Sequence, residues 1–139
     1  MCCIREATTI QNPNILNKLI IVDDDGDLRE MVTMVLRFRG MEIKGLASGK
    51  LLLESLTIEK PDMVLMDIYL GDSDGRSLCK QLKNSEEYSA IPIVLYSAGV
   101  ISNASIVDSL ADDFVQKPFD LSSLFNCIQK NLAKRSGSQ

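Results

Sequence analysis

Residues 64–75 read VLMDIYLGDSDG, an apolar run that ends in Asp67 and continues into glycine, aspartate and serine. Together with Met63 the run is apolar at every position, which is typical of a strand covered on both faces in a parallel sheet. Aspartate is disfavoured inside strands because a buried carboxylate must be paired or hydrogen-bonded. The position of Asp67 therefore suggests that other polar groups meet it at the strand end.

Four more segments have the character of strands. Two are continuous apolar runs, one alternates as a half-exposed edge strand does, and one is short. The five predicted strands are residues 19–22, 41–46, 63–66, 91–96 and 114–115. Pro92 is compatible with a position at a strand start.

Apolar residues at helical spacing follow each predicted strand. The first helix is expected to end at Gly40, and the second to be capped by Ser48 and to end before Pro61. The five helices are predicted at about 28–38, 48–56, 78–82, 104–111 and from 120 to 132.

Strands and helices thus alternate five times, which predicts an α/β fold with helices on both faces of a parallel sheet. Right-handed crossovers leave few topologies. We predict a doubly wound, flavodoxin-like sheet of five strands in the order 2-1-3-4-5, with five helices.

The chain of 139 residues fits one domain. We predict a mobile leader over residues 1–16, the folded domain over 17–133 and a tail over 134–139. The residues after Leu132 are too few to form a second domain.

Composition excludes several classes of function. The net charge of −4 and the absence of a long basic stretch argue against a nucleic-acid partner. No apolar run reaches the ~18 residues of a membrane span, and the N-terminus lacks the apolar core of a secretory signal. The four cysteines show no metal-ligand spacing, so we expect a reducing, cytoplasmic setting. Because the sequence has no histidine, catalytic triads and histidine-ligated zinc are excluded within it.

Polar residues follow four of the predicted strands. They are Asp23 and Asp24, Asp67, Ser97 and Lys117. In an open parallel sheet, ligands bind outside the carboxyl ends of the strands near the switch point of the strand order. With the order 2-1-3-4-5, these groups converge there.

Such a cluster has a specific chemistry. Three neighbouring carboxylates raise one another's pKa unless a cation intervenes, and Mg²⁺ prefers oxygen ligands and phosphate. Lys117 and the Ser97 hydroxyl would suit phosphate oxygens. We therefore predict that Asp67 is a nucleophile for phosphoryl transfer. Each residue alone is compatible with a turn, a cap or a loop, and only their joint occurrence at strand ends carries the prediction.

Four stretches, IIVDDD, VLMDIYLGDSDG, IVLYSA and FVQKPF, together resemble the signature segments of response-regulator receiver domains of the chemotaxis-regulator type. The resemblance covers about residues 18–133. It implies that Asp67 is the phosphoacceptor. It also implies that Asp24 binds Mg²⁺ directly, that Asp23 acts largely through water, and that the Tyr69 carbonyl is a further metal ligand.

The resemblance also assigns Ser97 as the hydroxyl that follows the phosphoryl group, Lys117 as the lysine that contacts it, and Phe114 as the aromatic switch residue. Three positions depart from the family pattern. Gly71 stands where proline is usual, which is expected to loosen the loop. Ser97 replaces the commoner threonine, and Phe114 replaces tyrosine and has no phenol.

The resemblance implies a phosphorylation-dependent signalling switch, not an enzyme beyond its own phosphorylation and dephosphorylation. The phosphoryl donor would be a sensor histidine kinase or a histidine phosphotransfer protein, and a downstream protein would bind the face of helix 4, strand 5 and helix 5. One alternative is a Mg²⁺-dependent phosphohydrolase, although Tyr69 stands where such enzymes usually carry a second acid. Another is an inactive receiver-like scaffold, which the complete residue set disfavours. Whether the domain stands alone or belongs to a longer regulator or hybrid kinase stays open.

Overall fold

A computed structural model describes residues 17–117 and 120–137, with side chains up to residue 134. The predicted leader and Pro118 lie outside these residues. The main sheet consists of β1 (Lys18–Val22), β2 (Glu42–Leu46), β3 (Met63–Asp67), β4 (Ile93–Ser97) and β5 (Asp113–Gln116). The described helices are α1 (Gly26–Phe38), α2 (Gly49–Leu56), α3 (Gly75–Lys83), α4 (Asn103–Ser109) and α5 (Leu121–Gly137).

The sheet is parallel throughout and has the strand order β2-β1-β3-β4-β5. This confirms the predicted fold and order. The register pairs Val22 with Met66, Asp67 with Tyr96, and Ser97 with Gln116. The carboxyl ends of the four strands β1, β3, β4 and β5 are therefore level with one another.

Two apolar clusters cover the two faces of the sheet. On one face, side chains of β1, β3 and β4 pack against α2 and α3, and on the other they pack against α1 and α5. Alternate residues of one strand serve opposite faces: Val64 and Met66 belong to the first cluster, and Met63 and Leu65 to the second. This explains why the central strands are apolar at every position.

Local signals at the helix ends agree with the sequence. Asp25 accepts backbone N–H groups at the start of α1, and Ser48 does the same for α2. Gly40 follows α1 with a φ of +90°, which a residue with a side chain rarely adopts. No helix in the described part of the chain combines the length and hydrophobicity needed to cross a bilayer.

Some boundaries differ from the prediction. β4 begins at Ile93 because Pro92 has no N–H for the ladder, although its carbonyl accepts the Val64 N–H at 3.0 Å. α4 is shorter than predicted, and α5 extends to Gly137, past the predicted domain end at residue 133. The predicted tail thus overlaps the last turn of α5, and the domain limits themselves stay a prediction.

The sequence predicts a loop between β3 and α3, but this segment contains a small antiparallel ribbon, Tyr69–Leu70 against Ser73–Asp74. At its tip, the Asp72 carboxylate accepts the N–H groups of Gly49 and Lys50, both at 3.0 Å. These bonds tie the segment to the start of α2. They oppose the loosening expected from Gly71.

Gly75 begins α3 where the chain passes close to the end of β3. A Cβ at this position would lie 2.4 Å from the Asp67 carbonyl oxygen and 3.0 Å from the Ile68 Cα. Both are backbone atoms, so the chain itself would have to shift. The close approach of α3 to the end of β3 therefore requires glycine.

We predict that Gly75→Ala lowers the free energy of unfolding by roughly 1–3 kcal/mol, as forced overpacking does elsewhere. Urea denaturation measures the effect. Gly26→Ala is the matched control, because a Cβ there meets only the Arg29 Nη2 atom, at an ordinary 3.6 Å. Equal midpoints for the two variants would contradict the packing argument.

Candidate functional site

The site is centred on Asp67, the last residue of β3, whose side chain is almost completely buried. One carboxylate oxygen, Oδ1, accepts the Tyr69 backbone N–H at 3.2 Å. The other, Oδ2, lies 3.4 Å from the Lys117 Nζ. The carboxylate is thus held between the backbone that follows β3 and a lysine that follows β5.

Two further carboxylates come from the end of β1. Oxygens of Asp23, Asp24 and Asp67 all lie within 4.8 Å of one another. Asp23 is fully buried and accepts the Asp25 N–H at 2.9 Å and the Tyr96 hydroxyl at 2.5 Å. Asp24 is exposed, so the cluster is open to solvent on its side.

Lys117 is the cation that faces this cluster within the described residues. Its Nζ lies 3.6 Å from Asp23 Oδ2 as well as near Asp67, and 4.7 Å from the centre of the Tyr96 ring. Two of the three carboxylates, Asp23 and Asp67, therefore share one ammonium group. Negative charge remains in excess at the carboxyl end of the sheet.

This excess of negative charge affects the pKa of Asp67. Burial raises the pKa of the Asp67 carboxyl above its usual value, and the charge of Asp23 raises it further. The ammonium of Lys117 and the Tyr69 N–H pull the pKa of Asp67 back down. The net direction is upward, so ionised Asp67 is under-compensated by the protein alone.

A divalent cation fits this arrangement. Carboxylate oxygens are the ligands that hard ions such as Mg²⁺ prefer, and Mg²⁺ usually retains several waters beside one or two carboxylates. The exposed side of Asp24 leaves room for such waters. Two carboxylates of the cluster together with waters match the donor set that Mg²⁺ takes, and its charge would offset the excess.

The remaining predicted residues lie on the neighbouring strands β4 and β5 and in the segment after β3. Ser97, at the end of β4, is fully buried, and its hydroxyl accepts the Gly99 N–H at 3.1 Å. Phe114 is half-buried and packs against the cluster on the α2 and α3 face. The Tyr69 side chain is 55% exposed and lies beside Gly99. The metal role of the Tyr69 carbonyl stays a prediction, as do the roles of Ser97 and Phe114.

Sequence reasoning missed two contributors. Tyr96 was counted as an apolar strand residue, yet its hydroxyl reaches Asp23. Gln116 was not noticed, yet its side chain binds the loop after β4. The local signal in the sequence is their position: Tyr96 directly precedes Ser97, and Gln116 directly precedes Lys117.

Comparison with known proteins decides the family. The model of the response regulator receiver domain matches residues 19–129. The chain belongs to this family. It is a receiver domain of two-component signalling, and such domains are in general signalling components that work with histidine kinases. The comparisons give no support to the alternative of a phosphohydrolase.

Individual relatives agree with this assignment. The DNA-binding response regulator MtrA of Mycolicibacterium paratuberculosis is 31% identical over 119 residues, which cover 84% of this chain and 52% of MtrA. The chain thus spans about half the length of the curated relatives it matches.

Solved structures share the fold. A response regulator from Chloroflexus aurantiacus J-10-fl has a TM-score of 0.81 and 31% identity, covering 86% of this chain and 99% of its own. The receiver domain of a sensor histidine kinase from Pseudomonas aeruginosa PAO1 has a TM-score of 0.77 and 21% identity, with coverages of 86% and 99%. That structure is described with a magnesium ion coordinated in its active site cleft.

The raised pKa of Asp67 predicts a dependence of stability on pH. Folding raises the pKa of Asp67 above its value in the unfolded chain, which is about 3.9. At pH values above about 3.9 the Asp67 carboxyl is therefore protonated more often in the folded protein than in the unfolded chain. The contribution of Asp67 to stability is therefore fully present below that value and is lost as the pH rises through the folded pKa.

The Asp67→Asn variant has no carboxyl at this position to ionise, so it does not lose stability as the pH rises. We therefore predict that its free energy of unfolding at pH 7 in EDTA is higher than that of wild type. The advantage should shrink toward pH 3. Lys117 keeps Asp23 as a partner in the variant. Urea denaturation at several pH values measures the difference, with the exposed Glu87→Gln as control. A variant less stable than wild type at pH 7 would contradict the charge argument.

Proposed function

We propose that Asp67 accepts a phosphoryl group from a phosphohistidine and that this modification switches the domain between two signalling states. The observation that supports the proposal is the convergence of Asp23, Asp24, Asp67 and Lys117 at the carboxyl end of the sheet. An acceptor carboxylate, a cation site and a phosphate-binding ammonium are the parts that such a transfer needs.

The transfer exchanges one bond for another. An oxygen of Asp67 attacks the phosphorus, an O–P bond forms, and the P–N bond to the donor imidazole breaks. The imidazole retains the electron pair of that bond and takes up a proton. Since this sequence contains no histidine, the donor histidine lies outside it, on a histidine kinase or a histidine phosphotransfer protein.

Each residue has a defined task. Asp24, Asp67 and the Tyr69 carbonyl would hold Mg²⁺, and Asp23 would act largely through a bound water. Bound Mg²⁺ supplies positive charge to the oxygens of the transferring group. Lys117, which lies within 3.4 Å of Asp67, moves its ammonium to the phosphoryl oxygens. Asp23 and Asp67 would then no longer depend on Lys117 alone.

The phosphoryl group would be sensed at the next strand. Ser97 moves toward a phosphoryl oxygen, and Phe114 follows into the space behind it. The readout is the surface of α4, β5 and α5, where Val107 and Leu110 are exposed apolar side chains that a downstream protein would cover. The free thiols of Cys79 and Cys127 fit a reducing, cytoplasmic setting.

We predict that acetyl phosphate with Mg²⁺ adds one phosphoryl group to the protein, on Asp67. Intact mass and peptide mapping measure it. Asp67→Asn should show no increment, whereas Asp108→Asn, an exposed position on α4, should match wild type. The same increment in Asp67→Asn would mean that another residue is the acceptor.

The metal site predicts that Asp24→Ala weakens Mg²⁺ binding by at least about tenfold, because a carboxylate ligand is lost. Titration of Mg²⁺ followed by amide chemical shifts measures the affinity. Asp27→Ala is the control, since Asp27 is an exposed carboxylate one turn along that does not belong to the cluster. Unchanged affinity in Asp24→Ala would remove Asp24 from the site.

The lifetime of the phosphorylated state depends on water reaching the phosphorus opposite Asp67. Two positions that would orient such a water are Tyr69 and Gly99. A Cβ at Gly99 would lie 3.6 Å from the Tyr69 Cε2 and 3.8 Å from its hydroxyl oxygen, so the ring covers the position where Gly99 offers no side chain. The Arg76 guanidinium, 5.8 Å from the ring centre, flanks the ring. We infer that the ring would shield the site.

We therefore predict slow self-dephosphorylation. Tyr69→Asn should accelerate it by roughly tenfold, which is a small part of the rate gain that orienting a reacting water molecule can supply. The decay of phosphorylated protein after removal of the donor measures it. Tyr69→Phe keeps the bulk of the ring and should decay like wild type. A wild-type rate equal to or above that of Tyr69→Asn would show that Tyr69 is no shield.

A further inference from the structure

The side-chain amide of Gln116 binds the loop that follows β4. Its Nε2 lies 3.2 Å from the carbonyl oxygen of Ser97, 3.3 Å from that of Ala98 and 3.0 Å from that of Gly99. It also lies 3.3 Å from the carbonyl oxygen of Lys117. The two N–H donors of one amide group thus share three consecutive carbonyls of the loop and one from its own strand end.

These contacts fix the segment that carries the phosphate-sensing hydroxyl. The Ser97 Oγ accepts the Gly99 N–H at 3.1 Å, so the side chain and the backbone of the segment form one compact turn. The register places Gln116 directly opposite Ser97, and the Lys117 N–H donates to the Ser97 carbonyl at 2.8 Å. The end of β5 therefore holds residues 97–99 through both the backbone and a side chain.

A movement of Ser97 would disturb these bonds unequally. The bond from the Lys117 N–H extends the ladder between β4 and β5 and can persist while the turn beyond it rearranges. The Gln116 bonds to Ala98 and Gly99 reach past the ladder into the turn. They must break or re-form when the turn moves.

We propose that Gln116 is a latch that holds residues 97–99 in the resting position and thereby sets the balance between the resting and the phosphoryl-sensing states. The inference rests on the proposed function, since it concerns the movement of Ser97 toward the phosphoryl group. Gln116 is a positioning residue. It acts on the reaction through Ser97 and does not touch the reacting atoms.

The latch has a thermodynamic consequence. A ligand that binds the sensing state can bind only the protein molecules in which the resting contacts are broken. Its apparent affinity is therefore lower when a larger fraction of the protein is in the resting state. Loss of the Gln116 bonds should raise the fraction in the sensing state before any ligand is added. A phosphoryl analogue should then bind more tightly, although no contact to the analogue has been gained.

The test compares wild type with Gln116→Met, which keeps the unbranched side chain and removes its donors. Beryllofluoride with Mg²⁺ is the probe, titrated against ¹⁵N-labelled protein. Gln129→Met, the same change at an exposed position of α5, is the matched control. We expect Gln116→Met to bind beryllofluoride about three- to tenfold more tightly than wild type and Gln129→Met to match wild type.

A second readout separates the latch from a merely structural role. Without beryllofluoride, the amide signals of Ala98 and Gly99 in Gln116→Met should lie on the line between the free and the bound wild-type positions, displaced toward the bound one. The same displacement is expected in Gln116→Leu, which serves if Gln116→Met does not fold.

Two results would overturn the proposal, and they have different meanings. If wild type responds to beryllofluoride but Gln116→Met shows equal or weaker affinity and unshifted Ala98 and Gly99 signals, Gln116 is no latch and the proposed function stands. If wild type itself does not respond to beryllofluoride, the proposed function fails and this inference fails with it.

Discussion

The structure depends on one electrostatic constraint: three carboxylates meet at the carboxyl end of a parallel sheet, and one lysine faces them. Asp23 and Asp67 are buried, so neither can rely on water to offset its charge. Lys117 lies within 3.6 Å of both, and β5 must therefore end level with β1 and β3. The strand order and register satisfy this requirement. The excess of negative charge that remains fits a divalent cation, and we propose that the same site responds to a phosphoryl group.

The surrounding elements differ in how firmly they are held. Beside the site, Gly75 lets α3 approach the end of β3, and Asp72 ties the ribbon to α2. On the other side, α4 has seven residues, of which only Ser109 is buried, and it ends at Leu110 with a left-handed φ of 66°. A non-glycine residue in that conformation carries strain. The firmly packed side positions Asp67, and we propose that the lightly packed side reports a change at Ser97.

Much of this arrangement could be predicted from the sequence, because buried strands are apolar at nearly every position. Continuous apolar runs located the central strands, and the polar residues after them located Asp67 and its neighbours. The contribution of Tyr96 escaped prediction because its ring fits an apolar strand equally well, and only the folded structure brings its hydroxyl to Asp23. Gln116 escaped because a glutamine on a strand has no local signature for the carbonyls it binds on another segment. The ribbon after β3 escaped because four residues carry too little periodicity to reveal pairing.

We propose that an anion on Asp67 is coupled through Ser97 to the surface of α4 and β5. The most direct test is a residue-by-residue map of amide chemical shifts in wild-type protein, with and without beryllofluoride in the presence of Mg²⁺. We predict changes at the ends of β1 and β3 that continue through residues 98–116, while α2 beyond its first turn stays unchanged. Changes confined to the immediate neighbours of Asp67, with residues 100–115 unaltered, would show that the site binds the anion without switching the domain.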